Sequence, residues 1–142
     1  MDDIYNDLIM EHSMNSYNKK ELDDATFSEM GHNPNCGDEI KLEVKVNNGV
    51  IEDMAFTGHG CAISQASTSI MIDTLKGKTV EEAKKIIETF IEMIKRETKD
   101  EKDLEILEDA IAFKNVSNMP ARVKCALLAW HTMEDILNKD GK

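Results

Sequence analysis

The sequence predicts an α+β protein in which a small three-stranded antiparallel sheet packs against helices. Residues 40–56 alternate apolar and charged side chains around an Asn-Asn-Gly turn, which is typical of a β-hairpin. Residues 61–137 carry apolar side chains at helical spacing, together with helix start and stop signals. Strands and helices are thus segregated along the chain rather than alternating, which favours the α+β class.

The N-terminal residues are predicted to form a helix over about residues 3–17, because Ile4, Leu8 and Ile9 fall near helical spacing. The residues that follow, 18–35, are polar and irregular. A short edge strand is expected within them, near residues 26–30.

The hairpin is the strongest local signal. Asn47-Asn48-Gly49 forms its turn, and an Asn-Gly pair suits the positive φ angles of a tight hairpin turn. The first strand contributes Ile40, Leu42, Val44 and Val46, and the return strand contributes Ile51, Met54 and Phe56.

Several helices are predicted after the hairpin. The first starts near Cys61 and ends before Gly77, a suitable C-terminal glycine. Thr79 and Glu82 then have the spacing of a capping box, which predicts the start of a second helix. A charged connection over 96–103 leads to a short helical stretch at Leu104, Leu107 and Ile111. Pro120 opens the last helix, which continues to about Leu137.

Length and charge limit the classes of function. A chain of 142 residues suits one domain, 1–142, with its own hydrophobic core. The formal net charge of −11 argues against a nucleic-acid surface and against docking on an anionic membrane. The acidic N-terminus lacks the apolar stretch of a secretory signal, so a cytoplasmic location is expected.

Three cysteines and one aspartate are the best candidates for chemistry. Cys36, Cys61 and Cys125 are all the cysteines of the chain, and Asp38 follows the first of them closely. Three thiolates and a carboxylate make a four-ligand set for a tetrahedral metal, and nearly a set for an iron–sulfur cluster. Because these residues are far apart in sequence, the prediction depends on the fold bringing them together.

Two histidines are alternatives to Asp38 as the fourth ligand. His32 and His59 lie near Cys36 and Cys61, and imidazole is a common zinc ligand. The helix that opens at Cys61 favours the thiolate form there, through the partial positive charge of its N-terminus.

Three segments together resemble the signatures of the SufU branch of the IscU/NifU N-terminal domain family, whose members serve iron–sulfur cluster assembly. They are Asn33-Pro34-Asn35-Cys36-Gly37-Asp38, Gly60-Cys61-Ala62-Ile63-Ser64-Gln65-Ala66-Ser67 and the stretch from Pro120 to Trp130. Lys124 stands where the IscU branch has a histidine, directly before the third cysteine. The stretch 77–113 resembles an insertion typical of SufU proteins. The family's Asn-Pro-Arg-Asn stretch after the first helix is absent, since this region reads His12-Ser13-Met14-Asn15-Ser16-Tyr17-Asn18.

The resemblance implies that Cys36, Asp38, Cys61 and Cys125 converge on one partly exposed site that holds zinc, or alternatively a transient [2Fe–2S] cluster. It implies a SufS-type cysteine desulfurase as sulfur donor, and downstream iron–sulfur assembly components as acceptors. Cys36 would be the sulfur acceptor, and Arg122 matches a family arginine with an auxiliary role beside the site. Any enzymatic activity would then be at most that of a zinc-dependent sulfurtransferase.

Two other classes of function remain as alternatives. One is a structural zinc domain that mediates protein interaction without transferring sulfur. The other is a hydrolytic zinc enzyme, which is disfavoured because four protein ligands leave no open position for water.

Overall fold

A three-stranded antiparallel sheet is followed by four helical segments and preceded by one helix. The computed structural model describes residues 3–14, 16–34, 37–97 and 100–140. In chain order the elements are α1 Asp3–Met14, β1 Phe27–Asn33, β2 Asp38–Asn47, β3 Val50–His59, α2 Ala62–Leu75, α3 Val80–Ile94, a 3-10 segment Glu101–Asn118, and α4 Pro120–Asp140.

The sheet has the order β1-β2-β3, so the hairpin β2–β3 forms one side and β1 forms an edge. The register pairs Asn33 with Asp38 at one end of β1–β2. A β-bulge interrupts the β2–β3 ladder between Lys45 and Val46. The predicted α+β class with a three-stranded antiparallel sheet is confirmed, and the predicted edge strand extends further than expected, to Asn33.

The hairpin turn has the backbone geometry that its sequence predicts. Asn48 and Gly49 have φ angles of 53° and 77°, the left-handed conformation that a two-residue hairpin turn with matching strand twist requires. The buried face of the hairpin carries Ile40, Leu42, Val44, Met54 and Phe56, which face the helices.

Helices α2 and α3 start and end where the sequence signals lie. Gly77 has a φ of 89° just after α2, so glycine avoids the strain that another residue would have there. Thr79 accepts a hydrogen bond from the Glu82 amide, and the Glu82 side chain accepts one from the Thr79 amide. This reciprocal capping box fixes the start of α3.

The stretch after α3 is a 3-10 segment rather than an α-helix. Its buried apolar side chains recur every third residue, which matches the three-residue turn of a 3-10 helix. A break occurs at Glu108, whose φ of 50° and ψ of −126° are not helical. The buried residues at this spacing are Leu104, Leu107, Ala110, Phe113 and Val116.

Helix α1 ends at Met14, before Ser16 and Tyr17, which the sequence pattern included in the predicted helix. The chain instead turns and joins the free edge of β3. The Phe56 amide donates to the Asn18 carbonyl at 3.1 Å, and the Lys20 amide donates to the Phe56 carbonyl at 2.9 Å. These backbone bonds satisfy part of an edge that would otherwise be open.

The core lies between the sheet and the helices, with aromatic rings at its centre. Trp130 of α4 stacks on Phe90 of α3, with ring centroids 3.9 Å apart and planes within 6°. Phe113 meets Phe90 edge-on at 6.1 Å. Each such pair contributes about 0.5–1.5 kcal/mol beyond the buried area. The two contacts thereby join α4 and the 3-10 segment to α3. Within the described residues, no helix is long and apolar enough to cross a membrane.

Candidate metal centre

Asp38 lies at the start of β2 and is completely buried. Its Oδ1 accepts a hydrogen bond from the backbone amide of Cys61 at 2.9 Å, which ties β2 to the entrance of α2. Its Oδ2 has no hydrogen-bond partner among the described residues. A buried carboxylate oxygen without a partner is costly unless a proton or a cation compensates it, so this atom is available as a metal ligand.

Cys61 is the N-cap residue of α2, with extended backbone angles and a half-buried side chain. Its Sγ accepts a hydrogen bond from the Ser64 amide at 3.5 Å, in the place where a serine or aspartate oxygen usually caps a helix. This hydrogen bond fixes the sulfur at the N-terminus of α2. The helix predicted to begin at Cys61 is therefore also the element that holds this sulfur in place.

Cys125 lies on α4 and is 1% exposed. Its position relative to α2 is fixed by a buried hydroxyl on the neighbouring helix. Ser67 Oγ donates to the Ala126 carbonyl at 2.6 Å and accepts from Trp130 Nε1 at 2.9 Å. The residue next to Cys125 is thereby bonded to the helix that Cys61 caps.

The fold brings Asp38, Cys61 and Cys125 together. One ligand atom from each residue lies within 4.8 Å of the other two, and the group can hold a metal ion. Cys36, the fourth predicted ligand and the predicted sulfur acceptor, lies outside the described residues. Its place in the site therefore stays a prediction.

Glycine at residue 60 makes the contact between Asp38 and Cys61 sterically allowed. A Cβ built on Gly60 would overlap Asp38 Oδ1 and would stand 3.1 Å from Asp38 Cγ. Gly58 has a φ of 122°, and its Cβ would overlap the Glu39 carbonyl oxygen. The two glycines therefore let β3 and the start of α2 approach β2 closely enough to present the Asp38 carboxylate to the two sulfurs.

The donor set fits a thiophilic divalent cation. Two thiolates and a carboxylate are ligand types that zinc accepts, and the unpartnered Asp38 Oδ2 supplies an oxygen without any other role. The two histidines that were alternatives to Asp38 are not in the group formed by the described residues. His59 is exposed and lies 3.7 Å from Glu39, and His32 is also exposed.

The positive side chains near Cys125 are exposed on α4. Arg122 and Lys124 both face solvent, so neither belongs to the buried group. Lys124 lines an open groove of about 380 Å³ between β1 and α4, together with Asn33 and His131. The predicted auxiliary role of Arg122 stays a prediction.

The sequence motifs did not identify every residue on which the site depends. Ser67 links α2 to α4, and Gly60 admits the Asp38 carboxylate, although both lie within the segment recognised for Cys61. Ser64 and Gln65 have buried polar atoms without a partner among the described residues. Their positions three and four residues after Cys61 are a sequence signal that they lie near the site, because residues at this spacing share a helix face with Cys61.

This is a small α+β protein in which the sheet and two of the helices bring two thiols and a buried carboxylate together. It therefore belongs among proteins with a cysteine-rich metal-binding centre. The sequence matches the family described as NifU-like N terminal domain over residues 4–126, and the chain belongs to that family. The family predicted from the three motifs is confirmed.

Two curated relatives match almost the whole chain. The iron-sulfur cluster assembly scaffold protein IscU of Thermotoga maritima is 41% identical over 136 residues, which are 96% of this chain and 94% of the relative. The zinc-dependent sulfurtransferase SufU of Bacillus subtilis is 40% identical over 141 residues, 99% of this chain and 93% of the relative. The fold is also similar to a solved structure, a putative iron-sulfur cluster assembly scaffold protein for the SUF system from Fervidobacterium islandicum. That structure has a TM-score of 0.87 and 40% identity, and the match covers 94% of this chain and 96% of that one.

Proposed function

We propose that this protein serves iron–sulfur cluster assembly by accepting sulfane sulfur at Cys36 from a SufS-type cysteine desulfurase. The accepted sulfur is relayed to downstream assembly components or built into a nascent [2Fe–2S] cluster. The protein acts as a single domain, 1–142, in the cytoplasm. Two relatives that match almost the whole chain are named a zinc-dependent sulfurtransferase and an assembly scaffold. The proposal extends these two roles to this chain.

The observation that carries the proposal is the convergence of Asp38, Cys61 and Cys125, with ligand atoms within 4.8 Å of one another. These residues come from β2, the entrance of α2 and α4. The chain thus uses three separate elements to assemble one thiol-rich site. Cys36 stands two positions before Asp38 in the sequence, and this proximity to a residue of the group supports it as the proposed acceptor.

The residues that would hold zinc are Asp38, Cys61 and Cys125, with Cys36 as the fourth. Zinc bound by these residues would keep the coordinating thiols deprotonated at neutral pH. Asp38 is the weakest of the four donors toward a thiophilic ion, because its hard oxygen binds less firmly than a thiolate. The same property favours release of a cluster assembled at this site.

The sulfur-transfer step needs no external oxidant. The Cys36 thiolate attacks the terminal sulfur of the donor's persulfide, and a new S–S bond forms on Cys36. The donor's own S–S bond breaks, and its electron pair leaves with the donor cysteine as a thiolate. Cys61 and Cys125 take no part in this exchange and serve to hold the site.

The test compares wild type with Cys36→Ser, in the presence of a cysteine desulfurase and L-cysteine. Wild type should raise the rate of sulfide release under a reductant and should carry the added sulfur on Cys36 in peptide mass spectrometry. The variant should do neither. Ser117→Ala is the control for handling, because Ser117 belongs to the 3-10 segment, which contributes no residue to the metal group formed by the described residues.

Equal stimulation by wild type and Cys36→Ser would contradict the sulfur-relay role. If both proteins bind zinc tightly and neither accepts sulfur, the chain is instead a structural zinc domain for protein interaction. Relay and scaffolding are separated by adding ferric iron and sulfide anaerobically, which are the oxidation levels that the oxidised cluster contains. A scaffold then develops the absorption bands of a [2Fe–2S] cluster and passes that cluster to an apoferredoxin.

A further inference from the structure

Strand β1 is an edge of the sheet, and its outer side is open. The sheet has the order β1-β2-β3, and among the described residues no backbone hydrogen bond joins β1 to a second neighbouring segment. In an antiparallel sheet, about every second residue of an edge strand directs its N–H and C=O groups away from the neighbouring strand. The seven residues of β1 therefore present a row of free backbone donors and acceptors.

The opposite edge of the sheet, on β3, is partly closed by the chain itself. The backbones of Asn18 and Lys20 form hydrogen bonds with that of Phe56 there. β1 lacks the usual means of protecting an edge, since residues 27–33 contain no lysine or proline and the β-bulge lies between β2 and β3. The fold thus covers one edge and leaves the other available for pairing.

The groove between β1 and α4 runs along this open edge. It is lined on the strand side by the four consecutive residues 30–33. Successive side chains of a strand point to opposite faces, and the burial of β1 alternates accordingly. A groove that borders four consecutive residues therefore follows the backbone edge of β1 rather than one face. Met30, which is 54% exposed, supplies an apolar side chain at this edge.

Helix α4 forms the other wall of the groove with residues that share one face of the helix. They are Lys124, Leu127, Leu128, His131 and Asp135. From the first of these residues to the last, the wall is about 16 Å long, which equals the length of about five extended residues. The groove thus has an open strand edge on one side, an apolar and charged helix face on the other, and the length of a short extended peptide.

Helix α4 runs antiparallel to β1. Lys139 forms an ion pair with Glu29, and a Cβ built on Gly31 would overlap Thr132 Oγ1. Moving back along α4 from Lys139 to Thr132 therefore corresponds to moving forward along β1. Lys124, which is exposed, lies further back on α4 and hence toward the last residue of β1.

The positive end of the groove is the end beside the metal centre. Asn33, the last residue of β1, pairs in register with Asp38, and Lys124 directly precedes Cys125. Asp135 stands on the part of α4 that is remote from this end. The groove therefore has a direction, with a cation at the end near the metal centre.

We propose that β1 and α4 bind an extended segment of a partner protein, which joins the sheet as a fourth strand. The backbone of the segment pairs with the open edge of β1, and an apolar side chain enters the groove against Leu128 and Met30. A carboxylate of the segment pairs with Lys124. In this mode of recognition, main-chain hydrogen bonds give affinity and the pocket for a side chain gives specificity. The inference goes beyond the proposed function, because it assigns a binding surface and requires no sulfur transfer.

Charge favours a different protein over a second copy of this chain as the occupant. Two copies would each carry a net charge of −11 and would repel each other. A partner segment needs only one carboxylate for the cation that the groove offers. A partner bound in this way is held at the end of the sheet where Asp38 lies.

The experiment uses the full chain in its zinc-bound form and a synthetic peptide as the probe. The peptide is blocked at both ends, alternates valine and threonine, and carries one glutamate at a terminus. Binding is located by the NMR shifts of backbone amides, and affinity is measured by the fluorescence anisotropy of a labelled copy. Two further peptides carry N-methyl groups on alternate residues, one set on the odd positions and the other on the even positions. Each set blocks one edge of the peptide strand and leaves the other edge free.

The unmodified peptide should bind saturably and shift the amides of residues 28–33. One N-methylated peptide should bind at least about tenfold more weakly than the other, because only one edge of the peptide pairs with β1. Lys124→Glu should weaken binding about fivefold, and a peptide with lysine in place of glutamate should regain affinity for this variant. Lys85→Glu is the matched control, since Lys85 is an exposed lysine on α3 that does not border the groove, and it should bind as wild type does.

Absence of binding at millimolar peptide, or shifts that leave the amides of β1 unchanged, would overturn the proposal. Equal affinity of the two N-methylated peptides would also overturn it, because the groove would then bind without strand pairing. A dimer of the free protein that the peptide dissociates would assign the edge to a second copy of the chain instead. None of these measurements involves sulfur on Cys36, so their failure is distinct from failure of the proposed function.

Discussion

Asp38 and Gly60 are in contact at the point where β2 meets the entrance of α2. A Cβ at residue 60 would overlap Asp38 Oδ1, the atom that accepts the Cys61 amide hydrogen. The missing side chain of Gly60 is therefore a condition for the position of the carboxylate. Because the same carboxylate carries an unpartnered oxygen, this contact connects backbone packing to the affinity of the metal centre.

Gly60→Ala should weaken metal binding while leaving the fold intact. The added methyl group must displace Asp38, so zinc affinity, measured by competition with a chromophoric chelator, is expected to fall by at least about tenfold. Gly49→Ala is the control. Gly49 has a φ of 77° and open space around its Cβ position, so alanine there should cost about 1 kcal/mol of stability and leave zinc affinity unchanged. A wild-type affinity in Gly60→Ala would show that Asp38 is not a ligand or that the loop adapts freely.

Asp38→Asn should stabilise the metal-free protein and weaken metal binding. Asparagine can still accept the Cys61 amide through Oδ1, but it removes a buried charge whose second oxygen lacks a partner. The free energy of unfolding of the zinc-free protein is expected to rise by about 1–2 kcal/mol in urea titrations. The increase in Tm on adding zinc should shrink, because it depends on affinity.

The matched control for this charge removal is Asp53→Asn. Asp53 forms an ion pair with Lys76 at 3.1 Å on a partly exposed surface, so its replacement should change neither zinc binding nor stability by much. A clear loss of stability in zinc-free Asp38→Asn would mean that the carboxylate is already compensated without a metal.

Ser67→Ala should cost more stability than the loss of one hydroxyl elsewhere in α2. The change leaves both Trp130 Nε1 and the Ala126 carbonyl without their bonds to Ser67. The expected loss is about 2 kcal/mol, with a change in tryptophan fluorescence, since the chain has one tryptophan. In the control Thr74→Val, the lost bond runs within the helix to the Ile70 carbonyl, and the cost should stay below about 1 kcal/mol. Equal losses of stability in Ser67→Ala and Thr74→Val would show that the α2–α4 link adds no stability of its own.

Local sequence signals predicted most of the elements because those elements depend on neighbouring residues. The Asn48-Gly49 turn and the Thr79–Glu82 capping box are set by backbone conformation within a few residues. The end of α1 was less predictable. It depends on Asn18, which pairs with a strand far away in sequence and thereby draws the chain out of the helix. The 3-10 segment was expected only as a short helical stretch, because its period of three is close to that of an α-helix.

The candidate centre was predictable in its residue types but not in its geometry. The cysteine motifs and Asp38 were identified from the sequence, and the fold brings Asp38, Cys61 and Cys125 together. The contacts that set their positions join residues distant in sequence, such as the bond between Ser67 and the Ala126 carbonyl. Periodicity contains no information about such pairs, so these supporting residues become visible only in the folded chain.

Tyr17→Phe should make stability less sensitive to alkaline pH. Tyr17 donates a hydrogen bond to Asp73 at 2.7 Å, and this bond, together with slight desolvation and the negative charge of Asp73, raises the pKa of Tyr17 above its ordinary value of 10.0. The raised pKa means that the folded protein keeps the phenol proton at a pH where the unfolded chain loses it. The stabilisation is therefore complete below about pH 10 and is lost as the pH rises through the pKa of the folded state.

Urea unfolding between neutral and alkaline pH should show a steeper decline in the free energy of unfolding for wild type than for Tyr17→Phe. Asp73→Asn, which keeps an acceptor but removes the charge, should fall between the two. Parallel declines in all three proteins would mean that the Tyr17–Asp73 bond does not persist in solution.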